Sequence, residues 1–421
     1  MSGTSADGVD AAILRTDGRG LVEPGPSLFV PYTDDLRARI LGLMRPLSAR
    51  DERNPDEKKI AHDLTQVHIQ AVNALIKKSN VSRETFSLIG FHGQTIRHAP
   101  EQGITVQIGE PARMAAALGI PVVADFRSND VRHGGQGAPL VPLYHAALAN
   151  TLAKPVMVVN IGGVSNVTWI GEESSVVSRQ SSAGNPHDLR LTTHDLLAFD
   201  CGPGNALMDD WVHQHTGARY DAGGALAAAG VVDEAAVAAF LADAFFACPA
   251  PKSLDRNHFK EVLAAIIPSN AVIPPNAVTP STRSEAERGE ANDGAQLGEP
   301  QRKLNPVIQQ GDTLWNGENG AATLTAMTAA AIAKACDMVP VRPARLLITG
   351  GGRHNPTLMR MIAARTGLSV APVESVGWNG DMLEAEAFAY LAARSVLGLP
   401  LSLPSTTGVR EPVRGGTLFV P

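Results

Sequence analysis

Cysteine is scarce in this chain: Cys201, Cys248 and Cys336 are the only three in 421 residues, and they share no paired spacing. That excludes a disulfide framework and a cysteine-based zinc site, and it fits a reducing compartment. No apolar run approaches the roughly 18 residues that a spanning helix needs, and no basic-then-apolar leader opens the chain, so a cytoplasmic setting is expected. An excess of positive charge is also missing. Lys and Arg number 36 against 42 Asp and Glu, a net charge of −6, which argues against non-specific binding to nucleic acid or to an anionic membrane. Two common nucleotide devices are absent as well. There is no GxxxxGK[ST] loop, hence no P-loop lysine, and no strand-linked GxGxxG.

What remains is an ordinary globular composition, 44% hydrophobic and 19% charged. The length suits about two domains. Apolar residues Ile60, Leu64, Val67, Val72, Leu75 and Ile76 recur at helical spacing over 56–79, and Lys77 and Lys78 suit the helix end. Short strands are expected at 11–14, 85–93, 105–109 and 121–126. A second unit opens near 154, where KPVMVVNIGGVSNVTWI reads as strand, glycine turn, strand. It repeats the plan of the opening MSGTSADGVDAAIL, so duplication of one α/β unit is expected. Residues 194–205 read as a strand ending in a glycine turn, and 344–367 as strand, glycines and helix, with Asn355 as N-cap, Pro356 first in the helix and Gly367 as stop. A last helix over 381–398 is expected to start in a capping box of Asp381 and Glu384. The polar stretch 171–193 reads as an exposed loop, and most of 268–310, rich in Pro, Ser, Asn and Glu, as disordered.

Four glycine-rich turns stand at strand ends: GTSADG (3–8), IGGVSN (161–166), FDCGPGN (199–205) and TGGG (349–352). Glycine lets backbone approach a ligand closely, and successive N–H groups in such turns form anion-binding nests. Any one of them is as well explained by a tight hairpin; four together suggest a polyphosphate. With a duplicated plan and no P-loop, that suggests an ATP clamp of the actin–hexokinase type, the nucleotide lying in a cleft between two similar domains.

The blocks MSGTSADGVD, GFHGQTIRH, ADFRSNDVRHGGQGAPLVP, VNIGGVSNVT, AFDCGPGNALMD, PKSLDRNHF, ATLTAMTAAAIA, TGGGRHNPTLM and GWNGDMLEAEAFA, in this order, closely resemble the anhydro-N-acetylmuramic acid kinase family, almost from end to end. The resemblance implies two actin/hexokinase-like, ribonuclease H-like α/β domains with mixed sheets: a lobe over 1–135 completed by about 372–421, and a second over 136–371. It implies a kinase that uses ATP and Mg²⁺ to open the 1,6-anhydro ring of 1,6-anhydro-N-acetylmuramate with water and phosphorylate O6, in peptidoglycan recycling. A homodimer is compatible with it. By the same resemblance Asp200 is the catalytic base. Gly3, Thr4, Ser5, Ala6, Asp7, Gly8, Val9 and Asp10 form the ATP loop, Gly162 and Gly163 the second phosphate hairpin, and Gly202, Gly204 and Asn205 belong to the turn behind Asp200. Gly350, Gly351 and Gly352 form the adenosine-side turn. No metal site is expected from the protein alone; Mg²⁺ comes with ATP, its water shell near Asp7 or Asp10. Arg127 is the candidate partner of the lactyl carboxylate, against a structural ion pair with Asp125 or Asp130. His92 is a candidate sugar contact, against a buried, satisfied histidine. Glu374 is a candidate cleft residue, against a surface or capping role.

Three departures from the family pattern stand out. Cys201 replaces a usual threonine, His133 a smaller residue, and the short apolar strand that precedes the GTS turn is not in the sequence. Its absence is expected to leave the neighbouring strand with an open edge. Two other readings compete: a kinase of the same clamp acting on another sugar or acid, and a non-catalytic nucleotide-binding relative.

Overall fold

The structure, a computed structural model, describes residues 1–3, 5–44, 56–172, 196–254, 258–259, 263 and 315–421. Thr4 and nearly all of the two polar stretches, 171–193 and 268–310, lie outside the described residues. In chain order the strands are β1 (Gly8–Thr16), β2 (Val22–Pro31), β3 (Ile89–Gly90), β4 (Gln94–Ala99), β5 (Ile104–Ile108), β6 (Val122–Ala124), β7 (Val156–Ile161), β8 (Val164–Ile170), β9 (Leu196–Pro203), β10 (Arg345–Thr349), β11 (Ser369–Pro372) and β12 (Thr417–Phe419). The helices are α1 (Asp34–Leu43), α2 (Glu57–Ser79), α3 (Pro111–Leu118), α4 (Ser128–Arg132), α5 (Pro142–Leu148), α6 (Ala206–Thr216), α7 (Ala225–Ala229), α8 (Glu234–Leu241), α9 (Gly317–Cys336), α10 (Pro356–Thr366), α11 (Leu383–Val396) and α12 (Pro404–Thr407).

The second lobe is built on a five-stranded mixed sheet in the order β11-β10-β7-β8-β9. β7 is central, antiparallel to β8 and parallel to β10. Its sequence VMVVNI is buried almost throughout, as a strand covered on both faces requires. α9 lies against this sheet. Its GENGAATLTAMTAAAIAKAC sequence, rich in small residues, lets it be buried along most of its length and approach so closely that a Cβ at Gly202 would lie 2.5 Å from the Ala331 side chain. α10 begins on Asn355, whose side chain accepts from the Leu358 N–H, and ends on Gly367 at φ +67°.

The first lobe repeats part of that plan. β1 pairs antiparallel with β2, and β3 pairs parallel with β6. The C-terminal β12 adds antiparallel to β6, and α11 lies against β1 and β3. β2 carries Pro24 and Pro26 inside the strand, which an outer strand tolerates. A shared apolar cluster, including Phe126, Tyr144, Val156, Leu347, Leu383 and Phe388, joins the two lobes beneath the cleft.

Two features differ from the sequence expectation. The stretch 85–93 forms only a two-residue strand, because a helical turn at Arg83–Thr85 precedes it and the chain bends away after Gly90. A Cβ at Gly90 would lie 2.1 Å from the Phe388 carbonyl oxygen, so α11 rests directly on its backbone. The last helix starts at Leu383 without a side-chain cap: Asp381, expected to cap it, bonds Arg353 instead.

Between β1 and β3 lies a narrow apolar slot of about 110 Å³, walled by Val9–Leu14, by Phe86 and Leu88–Phe91, by His68, Val72 and Leu75 of α2, and by Ala385 and Ala389 of α11. Met1 and Asp10 exchange both backbone hydrogen bonds, as antiparallel neighbours do. Ser2 bridges Gln94 in parallel. Met1 and Ser2 therefore run antiparallel to β1 and parallel to the chain at Gln94, and Met1 lines the slot. The ring Nε2 of buried His68, at the slot wall, has no hydrogen-bond partner among the described residues.

A chain extended at Met1 by a six-residue apolar lead with the sequence of β7 is expected to place at least one apolar side chain in this slot. Each buried side chain contributes about 1.5–3 kcal/mol, so Tm should rise by several degrees. A scrambled lead carrying two lysines should leave Tm unchanged. Equal melting of the parent and the apolar-lead form in a calorimetric scan would rule out strand insertion.

Candidate active site

The cleft between the lobes encloses about 730 Å³, and three of the four glycine turns line it: the first with Gly3, Ser5, Asp7 and Gly8, the second with Gly162 and Gly163, and the last with Gly350 and Gly351. In the first turn the Ala6 N–H donates to the Gly3 carbonyl at 3.1 Å, with Ala6 buried and held at φ +52°. Val9 points into the lobe core and Asp10 into the cleft. In the second turn a Cβ on either glycine would meet the protein only at ordinary contact distances, 3.6 and 3.8 Å. Their bareness therefore leaves room on the cleft side, which is what close approach of a phosphate to backbone N–H groups requires. In the last turn Gly350 takes φ +73°, and a Cβ there would lie 2.5 Å from the Asn160 side-chain oxygen. Gly352 packs against Ile161 and does not reach the cleft.

The fourth turn stands behind the second. The Gly204 N–H donates to the Gly163 carbonyl at 3.0 Å and the Asn205 N–H to the Gly162 carbonyl at 2.7 Å. The Asn205 side chain donates to the Ile161 carbonyl at 3.1 Å. A Cβ on Gly204 would lie 2.1 Å from the Gly162 carbonyl oxygen. Gly202, Gly204 and Asn205 thus buttress the second turn rather than line the cleft. Cys201 faces the core, its thiol donating to the Ser165 carbonyl at 3.4 Å.

Asp200 reaches the cleft from inside β9, where it pairs with Asn166 beside a bulge whose extra residue, Cys201, lies on β9. Its backbone N–H donates to the Lys252 carbonyl at 2.9 Å, and its Oδ2 accepts from the Leu254 N–H at 2.8 Å. The loop 251–254 therefore fixes both ends of the residue. Among the described residues no side chain bonds the carboxylate. Surrounding protein pushes its pKa up to about 7, with the Leu254 N–H pulling the other way.

On the first-lobe side Arg127 lines the cleft. It donates to the Gly137 carbonyl at 2.7 Å and, through Nε and one terminal nitrogen, towards His92 Nε2 at 3.1 and 3.0 Å. It forms no ion pair with Asp125 or Asp130; Asp130 instead accepts from Thr407 and the Gly137 N–H. Burial lowers the Arg127 pKa, opposed first by Glu384. His92 lies beneath Arg127, buried against Phe388, with Nδ1 on the Gly93 carbonyl. Burial and Arg127 keep it neutral, and it does not line the cleft. Glu374 does not line it either: its carboxylate pairs with Arg353 at 2.8 Å. His133 bonds the Asn129 carbonyl at an exposed position away from the cleft.

The sequence reading missed Glu384, Arg353, Asn160, Asn166 and Thr168, all on the cleft wall. Glu384 was read as half of a capping box; its carboxyl lies in the cleft among protein that raises its pKa, with Arg127 opposing. The signal was its place in the first turn of a helix that follows the loop WNGD.

The family model for "Anhydro-N-acetylmuramic acid kinase" matches residues 1–187, 189–271 and 303–421. Anhydro-N-acetylmuramic acid kinase of Rhodospirillum rubrum is 44% identical over 421 residues, covering 100% of this chain and 92% of that protein. The protein of the same name from Rhizorhabdus wittichii is 42% identical, covering 100% and 98%. A solved ROK family glucokinase from Streptomyces griseus, in complex with glucose and AMPPNP, aligns over 92% of this chain and 97% of its own at 13% identity and a TM-score of 0.35, too distant to bear on the argument. The duplicated α/β lobes, the glycine turns around one cleft and full-length relatives above 40% identity lead to one conclusion: the chain belongs to the anhydro-N-acetylmuramic acid kinase family.

Proposed function

We propose that this kinase works in the cleft with Asp200 as the general base: water opens the 1,6-anhydro bridge of 1,6-anhydro-N-acetylmuramate at C1 while O6 is phosphorylated by ATP, giving N-acetylmuramate 6-phosphate in peptidoglycan recycling. Water oxygen forms the new bond to C1 and its proton passes to Asp200. The C1–O6 bond breaks, O6 takes the γ-phosphoryl group, and the bond to the β-phosphate breaks to leave ADP. Capture of O6 by phosphorus removes the need for the carboxylic acid that an ordinary glycosidase uses to protonate its leaving oxygen. Asp200 carries this reading. It is a carboxylate facing the cleft, without a side-chain partner among the described residues and with a pKa near 7, matched to taking a proton at neutral pH.

The phosphates are assigned to the N–H groups of the first two turns and adenosine to Gly350 and Gly351. Five carboxyl residues, Asp7, Asp10, Asp200, Asp381 and Glu384, line the cleft, so a polyphosphate needs a cation with it. Among the described residues no group of three or more ligands could hold a metal ion. Mg²⁺ would arrive on ATP, its water shell facing Asp7 and Asp10, and would supply charge neutralisation at the phosphates. Arg127, donating from a fixed bed of His92 and Gly137, suits the lactyl carboxylate. A reading with another sugar has no support in the full-length relatives.

Asp200→Asn is expected to bind ATP normally and lose about 10²-fold or more in kcat. Burial raises the Asp200 pKa from 3.8 to about 7, so the folded state holds its proton more tightly and loses stability as pH rises across that interval. The Asn variant should therefore melt no lower than the parent at pH 8, separating lost chemistry from lost folding. Parent kcat/KM should rise with pH through an ionisation near 7. A kcat within a few-fold of the parent, or a flat profile from pH 6 to 8, contradicts the assignment.

Arg127→Met should raise KM for the sugar at least about tenfold, since a charged bidentate partner is lost, while KM for ATP stays within twofold. An unchanged sugar KM would return Arg127 to a purely structural role beside His92.

A further inference from the structure

Arg353 follows the last glycine turn, and its guanidinium is buried although both of its acidic partners are open to solvent. Each of its nitrogens is committed. Nε donates to Glu374 at 2.8 Å, one terminal nitrogen to the Gly350 carbonyl at 2.9 Å, and the other to Asp381 at 2.6 Å. The two carboxylates belong to the loop between β11 and α11, and the carbonyl to the turn that carries Gly350. Gly380 closes the arrangement. Its N–H faces the same Glu374 carboxylate at 3.3 Å, its carbonyl accepts from buried Thr349 at 3.2 Å, and a Cβ there would lie 2.6 Å from Arg353 Nε. Three residues beyond Asp381 stands Glu384, which shares the cleft with Arg127 and Asp10.

We propose that Arg353 is a positioning residue that ties the nucleotide turn of the second lobe to the start of α11 in the first, so that nucleotide and sugar strengthen each other's binding. The inference rests on the reading of Gly350 and Gly351 as a nucleotide turn. The geometry that carries it is one planar cation holding a carbonyl of that turn and two carboxylates of the loop that sets Glu384. A shift of the turn moves the Gly350 carbonyl, the guanidinium follows as a rigid fork, and Asp381 with the first turn of α11 follows the guanidinium. Lysine, with one nitrogen and no fork, cannot hold all three. A purely structural ion pair would serve stability alone and leave the two ligands independent.

The test is calorimetric titration of the full chain with AMPPNP, alone and in saturating 1,6-anhydro-N-acetylmuramate. The parent is expected to bind AMPPNP at least about fivefold tighter with sugar present, an ordinary size for coupling between two sites. Arg353→Lys should bind AMPPNP more weakly and lose most of that enhancement. Asp381→Asn, altered at a solvent-exposed partner and so no threat to folding, should lose part of the enhancement with Tm unchanged. Sugar KM and nucleotide KM should rise together in both variants. Enhancement equal to the parent's in Asp381→Asn, or in a folded Arg353→Lys, overturns the proposal. A parent that binds AMPPNP without any response to sugar overturns it as well but leaves the nucleotide site standing; a parent that does not bind AMPPNP removes the site and the proposal together.

Discussion

The cleft depends on one close backbone contact. Turn 162–163 and turn 202–205 meet without side chains between them, the N–H groups of Gly204 and Asn205 donating to the carbonyls of Gly163 and Gly162. No other residue fits at 204, because its Cβ would lie inside the Gly162 carbonyl oxygen. The carbonyls of turn 162–163 are thereby used on the side away from the cleft. The same contact fixes the end of β9, and hence Asp200 four residues earlier, beside the turn. α9 presses on the back of β9 at Gly202, so Asp200 and turn 162–163 are held as one body by the core of the second lobe.

The electrostatics follow from that placement. Among the described residues Asp200 has backbone partners only, the Leu254 N–H alone opposes the cost of burying its charge, and its pKa climbs to about 7. Asp10 and Glu384 are raised for the same reason, Asp10 to about 6. The cleft thus carries five carboxyl groups, with Arg127 and Arg353 as cations on its wall. Such a wall repels bare polyphosphate and accepts it with a divalent ion. Glycine turns contribute dipoles without desolvating another charge.

Much of this was legible in the sequence. Glycine turns at strand ends leave a local signature, since the strand that presents each turn is contiguous with it, and the helix from Pro356 to Gly367 carries its own cap and stop. The duplicated plan was legible for the same reason, from strand, turn and strand in order. What escaped depends on residues far apart in the chain. Glu384 reads locally as a helix cap, and only the return of α11 to β1 brings it beside Arg127. Glu374 reads either as a cleft residue or as a surface or capping acid, and the partner that claims it, Arg353, lies 21 residues away. His92 carries no local sign of whether it faces the cleft or supports Arg127. Asp200 reads as the end of a strand and lies within β9, on the face opposite Phe199 and Cys201, which pack into the core.

The central claim is that one step joins opening of the sugar bridge to phosphoryl transfer, with Asp200 directing water to carbon and not to phosphorus. The most direct measurement is a single turnover of 1,6-anhydro-N-acetylmuramate with ATP in heavy-oxygen water, read by mass spectrometry. The account predicts one heavy oxygen on C1 of the sugar product, a phosphate on O6 whose oxygens are all light, and no labelled inorganic phosphate. Heavy oxygen in the phosphate, or inorganic phosphate released without sugar product, would show that water attacks ATP in this cleft and would contradict it.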